Sequence, residues 1–261
     1  KQYKNDYLVN EKTRVYNRIH YFANIIKDKT NEYNKLKKDE IKEKVHYALD
    51  LSERVYRENK KLSKKEMKNQ IIKILGSIKS KNPNAYYSIV DLKTNKVILN
   101  KQKKLLDRNL NTFLDSDGRN IFSNSYKYDD FITLKLSKND NDKKVYEKIV
   151  YFKEFKKLDL VIIYGEYIDE INEEIRKKII EDIKYTNFEN NSYIFIIKIL
   201  NVNGGKNYGK VLLHQAKPQL EGKVLSSGGG NINFENYRKD YLFKLKNSGE
   251  GFVTYYYSRP D

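Results

Sequence analysis

Apolar positions in the first part of the chain recur at helical spacing. Val15, Ile19, Phe22 and Ile26 are spaced 4, 3 and 4, and Ile41, Val45 and Ala48 are spaced 4 and 3. No glycine precedes Gly76 and no proline precedes Pro83. The spacing therefore predicts a helix of about 55 residues, roughly 80 Å long, with one apolar stripe. Such a rod needs a coiled-coil partner or two domains stacked along its side. Ser63-Lys64-Lys65-Glu66 is a capping-box sequence. It predicts a second, shorter helix that turns Met67, Ile71, Ile74 and Leu75 inward and loosens near Gly76.

After Pro83 the period falls to two. Tyr86–Asp91 and Lys96–Leu99 read as strands joined by a tight turn at 92–95. Phe131–Leu136, Val145–Phe152 and Leu158–Tyr164 read as three more, the first two joined by the polar turn 138–144. A further helix is expected from Asp169, with Ile171, Ile175, Ile179 and Ile183 at i,i+4 spacing.

The pattern then repeats. Tyr86–Val90 returns as Tyr193–Ile197, Val97–Asn100 as Val211–His214, and Leu105–Leu110 as Leu220–Leu225, in one order at offsets of 107 to 115. Two copies of one unit follow. The class is α+β: a long N-terminal helix, then two tandem antiparallel-sheet modules, the second incomplete. The expected organisation is 1–82 for the long and short helices, 83–168 for the first module, 169–190 for a connecting helix and 191–261 for the second module. The second copy has no counterpart of Tyr151–Tyr167. The full gene product is therefore expected to continue past Asp261 with the missing strands and a membrane span.

Composition narrows the function. The 261 residues carry 52 Lys+Arg against 35 Asp+Glu, a formal charge of +17. That charge admits a basic adaptor binding nucleic acid or an anionic surface, the alternative reading. The lysines are interleaved with acids and Asn, as in Lys35–Lys44, and no Arg-rich stripe exists to grip phosphates. Aromatic residues at 13%, 23 of them Tyr, are too many for a disordered polyelectrolyte. The absence of Cys excludes disulfides, thiolate metal sites and a cysteine nucleophile.

Catalytic signals are weak. His20, His46 and His214 have no metal-ligand spacing, and Gly228-Gly229-Gly230 lacks the following Lys-Ser/Thr of a phosphate loop. Asp115-Ser116-Asp117-Gly118 reads as a turn, and no Ser-His-Asp grouping can be assembled. No catalytic residue, metal site or cofactor is expected, and a secreted hydrolase is the weakest class.

Several segments together resemble a known family. Val161–Ile171 runs an apolar strand through Gly165 and Tyr167 into an acidic helix start. Leu212-Leu213-His214 through Leu220-Glu221-Gly222-Lys223 resembles a "His-Pro … Leu-x-Gly-Lys" loop, and Gly249–Tyr257 resembles a "Gly-x-Gly-Phe-Val-x-Tyr-Tyr-Trp" strand. With the long helix and the tandem repeat, the chain resembles the double Cache (PAS-like) domains of bacterial chemoreceptors and sensor kinases. Ile163 stands where the family usually has Gly, and a Trp is missing near Leu158–Leu160.

The resemblance implies a periplasmic sensor of an inner-membrane receptor, anchored by flanking membrane helices. A small polar ligand, an amino acid or small carboxylate, would bind the membrane-distal first module. The striped helix would pair with a second copy in the intact receptor; the +17 charge opposes pairing of the isolated fragment, whose oligomeric state the sequence leaves open. No nucleic-acid partner is implied. The ligand would sit on the concave sheet face, under the connection between the second and third strands. Tyr151 and Lys153, two apart on one strand face, and Tyr126 and Tyr128 in the covering region are the expected ligand-binding residues.

Overall fold

A computed structural model describes residues 2–109, 112, 114, 118, 120, 129–188, 192–228, 231–232 and 235–255. Helix α1 (Gln2–Glu58) is unbroken, as the absence of Gly and Pro requires. Helix α2 (Lys64–Ser77) starts at a full capping box. The Glu66 N–H donates to Ser63 Oγ at 3.3 Å and the Ser63 N–H to Glu66 Oε2 at 2.8 Å. Ser63→Ala is expected to cost about 1 kcal/mol, read as a lower urea midpoint at unchanged slope.

Contacts divide the chain into two units, 29–175 and 1–28 with 176–261. In the first unit, strands β1 (Tyr86–Asp91), β2 (Lys96–Leu99), β3 (Asp130–Leu136), β4 (Tyr146–Phe155) and β5 (Leu160–Tyr167) form an antiparallel sheet. The strand order is β2-β1-β5-β4-β3. One sheet face is covered by α1, whose Ile41, Val45, Ala48, Ser52 and Val55 are buried. Their spacing of 4, 3, 4 and 3 is the expected stripe extended by about two more turns. Tyr87 donates to the carbonyl of Lys44 at 3.0 Å, tying β1 to that helix. Met67, Ile71 and Leu75 of α2 are buried, and Ile74 is half-buried. Helix α3 (Ile168–Lys184) leaves β5 directly, and its row Ile171, Ile175, Ile179 and Ile183 is buried throughout.

The second unit repeats strand, strand and 3₁₀ turn in β6 (Phe195–Ile199), β7 (Gly209–His214) and Pro218–Leu220. Strand β8 (Val224–Leu225) pairs with β7, and a two-residue pair, β9 (Asn231–Ile232) and β10 (Glu235–Asn236), precedes helix α4 (Tyr237–Ser248). Helix α4 was not expected. It runs from a side-chain cap, Asn236 accepting from the Lys239 N–H, to Gly249 at φ +74°. The strand expected at Gly249–Tyr257 is absent over 250–255, which adopt no regular structure; Tyr256 and Tyr257 lie outside the described residues.

The N-terminal stripe also departs from expectation. Phe22 packs with Ile183 and Leu213, with Ile25 beside it, while Val15 and Ile19 remain 45% and 54% exposed. The described elements of this unit cover the helix at Phe22 and Ile25 and leave Val15 and Ile19 exposed. Among the described residues no helix is long and apolar enough to cross a membrane.

Candidate ligand site

The sheet face opposite α1 in the first unit carries a cavity of about 40 Å³. At about 10–15 Å³ for each water-sized group, it holds roughly three or four such groups, the size of a small carboxylate. Its floor follows from pairing register. Lys148 and Val150 on β4, Ile163 and Gly165 on β5, and Tyr86, Ser88 and Val90 on β1 line it. Val150 lies opposite Gly165, and Gly165 opposite Tyr86. Gly165 is required by close approach: a Cβ there would lie 2.2 Å from the Ile149 carbonyl oxygen and 2.7 Å from Val150 Cα. Val97, Leu134 and Leu136 add an apolar wall. Asn100 and Leu105, from the connection after β2, complete the described lining.

Lys148 is the charged residue of this lining, and it is 3% exposed. Its ammonium donates to the Asn84 carbonyl at 3.1 Å and lies 3.7 Å from the Tyr86 ring centroid and 4.9 Å from that of Tyr167. Among the described residues no carboxylate lies within 4 Å of it. Burial lowers its pKa to about 7; Glu166 and Glu170 act against that from beyond ion-pair distance. Both acids are held by other cations. Glu166 meets Lys37 at 3.4 Å, and Glu170 meets Lys138 at 2.8 Å and accepts from the Asn82 and Asn84 side chains.

The surrounding hydroxyls and amides are fixed. Gln102 Nε2 donates to the Ser137 carbonyl at 2.6 Å and to Tyr86 Oη at 3.1 Å, and Tyr167 Oη donates to the same carbonyl at 2.5 Å. Burial pushes the Tyr86 hydroxyl up to about 12, so it stays a neutral donor. Asn100 Nδ2 donates to Ser88 Oγ at 2.9 Å. The arrangement offers a cation, hydroxyls and an amide in an apolar cup. A wider cleft of about 450 Å³, bounded by Lys79 and Lys101, shares Tyr86 and Asn100 with it. No group of three or more His, Asp or Glu among the described residues could hold a metal.

Two of the expected site residues lie on the other face of the sheet. Tyr151 and Lys153 occupy the alternate face of β4, one residue out of phase with Lys148 and Val150. Tyr151 is 1% exposed, packed at 4.9 Å from the Phe131 ring and stacked on His46 of α1 at 6.1 Å. Lys153 is about one-third exposed and pairs with Asp129 at 3.3 Å. Tyr126 and Tyr128 lie outside the described residues. The middle of strand β4, Val150 to Phe152, is buried on both faces, because one is covered by α1 and the other forms the cup, so alternation alone does not say which side holds the cavity. Gly165 carried the missing signal, since a glycine in mid-strand marks close approach and Val150 pairs with it.

Fold and site together define an α+β domain: a long helix, a sheet with an apolar cup holding a few polar groups on its far face, and a partial second copy. The family model for the Cache domain, dCache_2, matches residues 1–261. The chain belongs to the Cache domain family of ligand-sensing domains. No curated protein matches the sequence. Solved structures similar to parts of it include a periplasmic sensor domain of a chemotaxis protein, at 14% identity and TM-score 0.42 over 50% of this chain and 92% of that one. A second is a Cache chemosensory domain described as recognising carboxylic acids, at 16% identity and TM-score 0.40 over 49% and 92%. A third is a methyl-accepting chemotaxis protein from Vibrio parahaemolyticus RIMD 2210633, at 19% identity and TM-score 0.44 over 55% and 99%.

Proposed function

We propose that this protein is the extracytoplasmic sensing part of a bacterial transmembrane receptor and that its first unit binds a small carboxylate on Lys148. One observation carries the ligand class. A buried ammonium with no carboxylate of the described residues within 4 Å lines a cavity of carboxylate size. An unpaired buried charge is costly, and an incoming carboxylate supplies the missing partner. Among the described residues no acidic residue lines the cup, so an amino acid's ammonium would find no counter-charge from them. Simple carboxylates are therefore favoured over amino acids.

Ligand binding acts as a bias between two packings of the sheet on α1. That helix is the element that would carry the change toward the membrane and pair with a second copy of the chain. The protein lies in the periplasm in this account, attached through membrane helices that flank the sensing part. No catalytic step is involved.

A thermal-shift screen tests the reading. Acetate, propionate and pyruvate should raise the melting temperature, and glycine should not, because a ligand specific for the folded state stabilises it. The pH dependence has a defined sign. In the unliganded protein the folded pKa of Lys148 lies below its unfolded value, so stability rises as pH goes from about 7 to about 10.5. A bound carboxylate requires the ammonium, so its affinity should fall about tenfold per pH unit above about pH 7. Uniform stabilisation by every acid and by glycine would contradict the assignment.

A further inference from the structure

The second unit holds its own cavity, about 50 Å³, at the corresponding place on its smaller sheet. Where the first cup is walled by aliphatic side chains, this one is walled by rings. His214 on β7 stacks on Tyr193 at 5.2 Å and on Phe195 at 5.5 Å, each at an interplanar angle of 21°. Tyr237 on α4 stacks on Tyr255 at 4.3 Å and 12°. We propose that this cavity is a second binding site, for a small aromatic carboxylate, with Arg238 as its anion-binding residue.

The charge argument comes first. Arg238 lines the cavity and is half-buried, and its Nη1 donates to the Ser226 carbonyl at 2.8 Å. Among the described residues no carboxylate lies within 4 Å of the guanidinium. A guanidinium has five N–H donors in a planar fork, so one backbone carbonyl leaves most of them for a ligand. Among the described residues no Asp or Glu lines the cavity, so a cationic ligand would find no counter-charge from them.

The remaining polar groups act in the same sense. His214 Nδ1 accepts from the Lys217 N–H at 3.1 Å, which places the ring proton on Nε2. Burial, reinforced by Lys217, lowers its pKa, so the ring is a neutral donor. The Tyr208 and Tyr241 hydroxyls bond to each other and stay protonated. An anion whose body is a planar ring satisfies both features, the guanidinium and the ring faces. The carboxylate fills the cavity and the ring lies along its rim, where Phe195 is 39% exposed.

Calorimetry on the whole chain tests this, with benzoate, cyclohexanecarboxylate and benzylamine as probes. Benzoate should bind about tenfold tighter than cyclohexanecarboxylate, which lacks the π face, and benzylamine should not bind. Arg238→Gln should weaken benzoate about tenfold or more, and Tyr237→Leu, which leaves the guanidinium in place, should weaken it by a smaller factor. Lys148→Met, in the other cavity, should leave benzoate affinity unchanged, so this site can fail without the first site failing. The proposal is overturned if benzoate does not bind, if benzylamine binds as tightly, if Arg238→Gln leaves benzoate unchanged, or if Lys148→Met abolishes it.

Discussion

Gly165→Ala is expected to destabilise the protein by about 3 kcal/mol or more, and to remove ligand binding with the fold. The methyl would fall 2.2 Å from the Ile149 carbonyl oxygen and 2.5 Å from Val150 Cγ1, in the middle of the β4–β5 pairing. Backbone atoms stand in the way, so no rotamer change relieves the clash. Strand β5 is central in the sheet, between β1 and β4, and its residues are almost all buried. A shift large enough to admit the methyl must therefore break ladder bonds on one side. Urea unfolding monitored by circular dichroism checks this, with a midpoint well below that of the native sequence expected. A midpoint unchanged within error would mean the strands approach less closely than described. Gly118→Ala, whose Cβ would meet nothing within 4 Å, is a control for backbone strain alone, since its φ is +79°.

Lys148→Met is expected to have the opposite profile, a large functional loss with little structural cost. Methionine replaces most of the side-chain volume in an apolar cup, and it removes a cation that burial already disfavours. Against this, the Asn84 carbonyl loses its donor at 3.1 Å. The two effects oppose each other, and stability should change by less than about 1 kcal/mol. Ligand-induced stabilisation should vanish, a loss of about 100-fold or more in carboxylate affinity, as for removal of a buried charge-assisted hydrogen bond. Thermal shift with and without propionate reads both effects. Lys153→Ala is the matched comparison. Its ammonium pairs with Asp129 on the other face at about one-third exposure, so it should leave ligand stabilisation intact. If Lys153→Ala removes the response and Lys148→Met does not, the site lies on the α1 side of the sheet.

The two lysines show where sequence reasoning reached its limit. The long helix, the capped α2, the five strands of the first unit and α3 all follow from periodicity, caps and apolar runs bounded by turn residues. The stripe Ile41–Ala48 is buried as the spacing requires. Strand β4 has no such asymmetry: its burial alternates little, with Val150, Tyr151 and Phe152 all buried. A period of two then fixes which residues share a face but not which face is the cup. The ion-pair pattern was also hidden, since Lys37 reaching Glu166 and Glu174, and Lys138 reaching Asp169 and Glu170, are tertiary contacts. Only those pairings single out Lys148 among so many lysines. In the second unit the Asn236 and Gly249 caps marked α4 in the sequence, but the aromatic run that follows reads as a strand by composition.

Proton uptake on binding is the most direct test of the account. Calorimetric titration of the carboxylate giving the largest thermal shift, at about pH 8 in two buffers of different ionisation enthalpy, counts the protons taken up per ligand. With the Lys148 ammonium at a pKa of about 7 before binding and held charged after it, the predicted count is close to one, and Lys148→Met should show no binding. Carboxylate binding with no proton uptake, or with equal affinity in Lys148→Met, would contradict the assignment of Lys148 as the ligand's counter-charge.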